Sequence, residues 1–129
     1  MKKIPVIIVE DSPPVRERLR QYLSSLAGIV VVGEAEDADD AIRQILDKGP
    51  RIVVLDLFLI RSTGLEVLQS TRAALPRTMF AVVTNVIDPG VREQCLGLGA
   101  DAVLDKSRDI LKLEGIIRGI AEEPEWEEA

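Results

Sequence analysis

The chain of 129 residues carries 22 Asp and Glu against 16 Lys and Arg, a formal charge of −6, and no histidine. This length suits one domain, and the negative balance argues against autonomous nucleic-acid binding, which needs a basic footprint. The lack of histidine excludes His-based general base catalysis, Ser-His-Asp and Cys-His arrangements and a phosphohistidine on this chain, and the single Cys95 allows neither an internal disulfide nor a zinc-site spacing.

Hydrophobic residues make up 47% of the chain and aromatic ones 3%, so the core must be built from Leu, Ile, Val and Ala. The first residues, Met1-Lys2-Lys3-Ile4-Pro5, lack the apolar length and cleavage site of a signal peptide. No apolar run approaches membrane-spanning length. The expectation is a cytoplasmic protein with neither membrane nor nucleic acid as partner.

In chain order, Pro5 to Glu10 reads as a buried strand, followed by Asp11-Ser12-Pro13-Pro14. Ser12 suits an N-cap and Pro13 the first helical position. Val15, Leu19, Tyr22, Leu23 and Leu26 form a helical stripe closed by Gly28. Ile29 to Ala35 is a second strand. Asp37 opens a second helix through about Asp47, with Ala38, Ala41, Ile42, Ile45 and Leu46 on one face, punctuated by Gly49-Pro50.

Arg51-Ile52-Val53-Val54-Leu55-Asp56-Leu57 is a near-continuous apolar run, as expected of a strand covered on both faces. It ends on a carboxylate, which is costly there unless it meets solvent, a cation or hydrogen-bond donors. A loop through Arg61-Ser62-Thr63-Gly64 leads to a third helix with Leu65, Val67, Leu68 and Leu75, stopped before Pro76. Thr78 to Thr84 is the fourth strand. Asp88-Pro89-Gly90 begins a fourth helix carrying Val91, Cys95 and Leu98. The spacing of Gly97 and Gly99 reads as a helix end, not a dinucleotide loop, and Cys95 as a small buried hydrophobe. Ala100 to Leu104 is a fifth strand, then Asp105-Lys106-Ser107. A last helix, about 109–122, carries Ile110, Leu111, Leu113, Ile116, Ile117 and Ile120.

Strand and helix thus alternate five times with short connections, the pattern of a parallel sheet covered by helices on both faces. The predicted class is α/β, a (βα)5 doubly wound parallel sheet of five strands. One domain is expected over residues 1–122, with an acidic tail around Trp126 at 123–129.

Glu10-Asp11, Asp56, Thr84 and Lys106 each fall at the carboxyl end of a strand. In a parallel sheet these ends share one rim, the usual place for a ligand. Three carboxylates in one pocket repel one another unless a cation joins them. An oxygen-only donor set suits a hard ion, Mg²⁺ first and Mn²⁺ as a substitute. Asp56 could then attack an activated phosphorus to give an aspartyl phosphate, with the ion and Lys106 neutralising charge and Thr84 donating its hydroxyl.

These residues, with Gly64-Leu65-Glu66, Thr84-Asn85 and Leu98-Gly99-Ala100-Asp101 in register, resemble the receiver domain of bacterial two-component response regulators over about residues 4–122. The resemblance implies Asp56 as phosphoacceptor, Asp11 as a direct metal ligand and Glu10 as a ligand through water. It adds the main-chain carbonyl of Phe58 as a further ligand, Thr84 and Lys106 as phosphoryl-oxygen binders, and the strand order 2-1-3-4-5. Thr84 would move on activation. The donor would be a sensor histidine kinase or histidine phosphotransfer protein. The chain would not be an enzyme beyond self-phosphorylation from small phosphodonors and slow self-dephosphorylation. It would be a monomer or a weak dimer through the fourth helix, fifth strand and fifth helix.

Four departures bear on that picture. Ile60 and Ser107 stand where Pro is common, so the loop after Asp56 is free to take another path and a cis peptide after Lys106 is not expected. Val103 replaces an aromatic residue that accompanies the switch, which leaves Thr84 and the backbone to carry it. Phe58 and Val86 give the hydrolytic water no polar partner, which predicts slow dephosphorylation. Three other readings stand beside the single-domain regulator: a receiver cut from a longer regulator, a small aspartate-nucleophile phosphatase, and a flavodoxin-like redox carrier. Phe58 counts against the phosphatase, since it occupies the place of a second acid. Glu10-Asp11 counts against the redox carrier, since it would repel a phosphate.

Overall fold

The computed structural model describes residues 3–85 and 88–122. Val86 and the acidic tail at 123–129 lie outside the described residues. The strands are β1 (Ile4–Val9), β2 (Ile29–Ala35), β3 (Ile52–Leu55), β4 (Phe58–Leu59), β5 (Ser62–Thr63), β6 (Met79–Thr84) and β7 (Ala102–Asp105). The helices are α1 (Pro13–Ser24), α2 (Ala38–Lys48), α3 (Gly64–Thr71), α4 (Pro89–Gly97) and α5 (Ile110–Ala121). Five strands form one parallel sheet in the order β2-β1-β3-β6-β7, which is the predicted 2-1-3-4-5 once the short β4–β5 pair is set aside.

Strand β3 lies at the centre and every residue in it is buried. Its side chains alternate between two cores, as the two-residue period of a strand demands. Val53 and Leu55 join Ala41, Ile45, Val67, Leu68 and Cys95 beneath α2, α3 and α4. Ile52 and Val54 join Leu19, Leu23, Leu113, Ile117 and Ile120 beneath α1 and α5. Each fully buried aliphatic side chain contributes about 1.5–3 kcal/mol of transfer free energy, so two aliphatic cores hold the sheet with few aromatic residues. Among the described residues, Phe80 is the one large ring that is fully buried.

Three local expectations are corrected. The stretch 58–63 is an antiparallel hairpin, with Phe58 opposite Thr63 and Leu59 opposite Ser62, and not a plain loop. Its turn places Arg61 at φ 53°. Helix α3 ends at Thr71, so Leu75 lies in the turn beyond it. Leu46 and Leu111, assigned to apolar faces, are 48% and 71% exposed. Each follows a residue of the buried stripe or its edge by one position, and one step along a helix rotates the side chain by about 100°.

Candidate functional site

The carboxyl ends of β1, β3, β6 and β7 deliver the polar groups. Asp56 follows β3 immediately, its amide donating to Val9 O at 2.9 Å, so β1 and β3 end side by side. Glu10 follows β1 and its amide donates to Ala35 O at 2.9 Å. These ladder bonds place Glu10, Asp11 and Asp56 so that one carboxylate oxygen of each lies within 4.8 Å of the others. Lys106 reaches across from the turn after β7. Its Nζ donates to Asp56 Oδ2 at 2.9 Å and lies 2.6 Å from Glu10 Oε1.

Burial sharpens the electrostatics. Glu10 is 1% exposed, and loss of water pushes its carboxyl above the usual carboxylate range. Lys106 and the Ser12 amide pull the other way without cancelling that effect. Burial by itself would lower the Lys106 ammonium, yet its contacts with Glu10 and Asp56 outweigh this and leave it raised. Lys106 pairs with Glu10 and Asp56 while Asp11 lies beside them, so the carboxylates outnumber the ammonium here. Two ligand oxygens opposite each other on Mg²⁺ stand about 4.2 Å apart, so the three carboxylates need only side-chain adjustment to share a hard ion. An all-oxygen donor set fits Mg²⁺ or Mn²⁺.

The hairpin is fixed by close backbone approach. Gly64 N donates to Leu57 O at 2.7 Å, and a Cβ on Gly64 would lie 2.5 Å from the Asp56 carbonyl oxygen. Only glycine fits there, and any side chain would shift the backbone that presents Asp56. Phe58 N lies 3.4 Å from Asp56 Oδ1, while the Phe58 ring is 51% exposed. Thr84 is buried at the end of β6, and its carbonyl accepts from Lys106 N at 3.1 Å. Val103 is buried in the core beneath α4. No cis peptide occurs among the described residues.

Two features were not read from the sequence. Ser12 occupies the N-cap position of α1 but makes no side-chain cap; its amide donates instead to Glu10 Oε2 at 3.0 Å. Arg16 donates to the Glu10 carbonyl at 2.7 Å and faces Glu34 at 3.4 Å. A cation in the first turn of a helix opposes the helix dipole, and that oddity was the available sign that Arg16 has a specific acceptor.

A sequence model of the response regulator receiver domain matches residues 6–118. Over 105 residues the chain is 35% identical to a protein-glutamate methylesterase/protein-glutamine glutaminase of Syntrophus aciditrophicus, which covers 80% of this chain and 30% of that protein. It is 28% identical to the response regulator VraR of Staphylococcus saprophyticus over 89% of this chain and 55% of VraR. The chain therefore spans about a third to a half of the length of these curated relatives. Among solved structures it superposes with a TM-score of 0.85 on a LuxR-family two-component response regulator from Aurantimonas sp. SI85-9A1, at 29% identity, covering 92% of this chain and 85% of that one. With the family match spanning most of its length and the expected five-stranded sheet in place, the chain belongs to the response regulator receiver domains of two-component systems.

Proposed function

We propose that this domain accepts a phosphoryl group on Asp56 from the phosphohistidine of a sensor histidine kinase or a histidine phosphotransfer protein, and that the modification changes its affinity for a partner. The observation that carries the reading is the Lys106 ammonium 2.9 Å from Asp56 Oδ2, beside the Glu10-Asp11-Asp56 carboxylate cluster. An Asp56 oxygen attacks phosphorus, an acyl phosphate bond forms, and the P–N bond to the donor imidazole breaks, with the leaving nitrogen taking a proton. Asp11, Asp56, the Phe58 carbonyl and Glu10 through water would hold Mg²⁺ or Mn²⁺, which supplies positive charge for the transferring phosphoryl oxygens. Lys106 shifts its ammonium from Asp56 to one of those oxygens, and the Thr84 hydroxyl donates to another, moving with the backbone of β6.

Hydrolysis of the acyl phosphate needs an oriented water. The exposed Phe58 ring offers no group to hold one, so the phosphorylated state is long-lived, and a half-life of seconds in the purified protein would contradict this. The reading places the domain in the cytoplasm, where such donors act. No described helix is long and apolar enough to cross a membrane. Intact-mass spectrometry after incubation with Mg²⁺ and phosphoramidate tests the core statement. One base-labile phosphoryl adduct per chain, lost in Asp56→Asn, supports it. An unmodified mass, or an adduct that survives Asp56→Asn, refutes it.

A further inference from the structure

Three of the five helices begin with a conventional side-chain cap. Asp37, Thr63 and Asp88 accept from the amides of Asp40, Glu66 and Val91 at the starts of α2, α3 and α4. Helix α5 does not. Its N-cap residue is Asp109, whose carboxylate makes no cap hydrogen bond. Instead Asp109 Oδ2 turns back and accepts from Asp105 N at 3.0 Å, while Asp109 N donates to Asp105 O at 2.9 Å. The Asp105 carboxylate is equally engaged. Its Oδ1 accepts from Ser107 N at 2.8 Å, Ser107 Oγ at 2.6 Å and Arg108 N at 3.2 Å.

The residue enclosed by these bonds is Lys106. Its own amide is tied to Thr84 O, so the 105–109 turn is bonded on every side. Asp105 and Asp109 thus bond reciprocally, as in a capping box set one turn ahead of α5, and together they fix the shape of the turn that carries Lys106. Lysine has a flexible four-carbon stem, so its ammonium is only as well placed as the backbone that carries it and the acceptors it finds. On phosphorylation the acceptors change, and the backbone anchor is what remains.

We propose that Asp105 and Asp109 are positioning residues. Their carboxylates clamp the 105–109 turn and hold the Lys106 ammonium at Asp56. This rests on the phosphoacceptor reading of Asp56, and it specifies what makes Lys106 effective there.

The test uses the full chain and pairs each deletion with its conservative counterpart, because an Asn side chain keeps a carbonyl oxygen to accept the same amides. Asp105→Ala and Asp109→Ala are expected to slow phosphorylation by about tenfold or more at saturating phosphoramidate. The half-saturating donor concentration should stay unchanged. Asp105→Asn and Asp109→Asn should recover most of the rate. A second readout needs no phosphorylation: the NMR order parameter of the Lys106 ε-methylene should fall in the Ala variants below its wild-type value, and return in the Asn variants. If wild type takes no phosphoryl group yet Lys106 loosens as described, the phosphoacceptor reading fails while the clamp stands. If the Ala variants phosphorylate at the wild-type rate with Lys106 still ordered, or the Asn variants are as slow and loose as the Ala ones, the clamp is wrong. Should an Ala variant fail to fold, the Asn variant decides: its Lys106 order and rate must match wild type.

Discussion

At the amino-terminal end of the sheet, Arg72 donates to Gly99 O at 3.1 Å, to Leu75 O at 2.8 Å and to Asp101 Oδ2 at 2.9 Å, with its guanidinium 4.8 Å from the Phe80 ring centroid. Asp101 accepts in turn from Phe80 N at 2.9 Å. One cation meets one anion, and both also bind main chain. Gly99, at φ 103°, admits the arginine: a Cβ there would lie 2.4 Å from its methylenes. At the carboxyl end, Glu10 and Asp56 share the ammonium of Lys106, with the Asp11 carboxylate beside them. The Arg72–Asp101 pair is matched one to one, whereas the carboxylates at the other end outnumber the ammonium beside them, an imbalance that the proposed ion would meet.

The difference is open to attack from both ends. Lys106→Ala should slow phosphorylation of Asp56 by about 10²–10³-fold, the usual cost of losing one charge-stabilising donor. It should also destabilise the fold when no divalent ion is present, because two buried acids lose their partner. Mg²⁺ should restore part of that stability in thermal melts. Arg72→Ala should cost about 2–3 kcal/mol through its lost charged hydrogen bonds, lowering Tm by roughly 6–12 °C for a domain of this size. Here Mg²⁺ offers no rescue beyond its effect on wild type, and the folded fraction should phosphorylate at the wild-type rate. Equal rescue of both variants by Mg²⁺ would erase the distinction.

A smaller effect follows from pH. Glu10 binds its proton more tightly in the fold than in the unfolded chain, chiefly because it is buried. Stability from this group is therefore full below the ordinary carboxylate range and declines as pH rises through its raised value. Chemical denaturation across mildly acidic pH should show this decline without divalent ions. Saturating Mg²⁺ should flatten it, since a bound ion stabilises the carboxylate form. A wild-type profile that rises relative to that of Glu10→Gln over the same interval would mean that Glu10 is stabilised, not strained, as an anion.

Much of this was legible in the sequence because apolar runs broke off on charged or hydroxyl residues. Ile52 to Leu55 ending on Asp56, and Met79 to Val83 ending on Thr84, show where buried strands surface, and parallel order then gathers those ends on one rim. The β4–β5 hairpin was not legible. Two-residue strands carry no period, and Arg61 takes a positive φ without a glycine to announce it. Leu46 and Leu111 were misassigned because a hydrophobic letter beside a buried stripe says nothing of the rotation that turns it outward. Ser12 was read as a cap from its side chain, whereas the structure uses its main-chain amide. Asp105 and Asp109 stood in view beside Lys106, yet an acid four residues from another reads equally as surface charge until its acceptor geometry is seen.

The anionic excess itself can be counted directly. Electron paramagnetic resonance of Mn²⁺ titrated into the wild-type chain should report one bound ion per molecule, displaced by Mg²⁺ and lost in Asp11→Asn, while Asp101→Asn at the opposite end binds as wild type does. A wild-type chain that binds no Mn²⁺, or an Asp11→Asn variant that binds it equally well, would contradict the account.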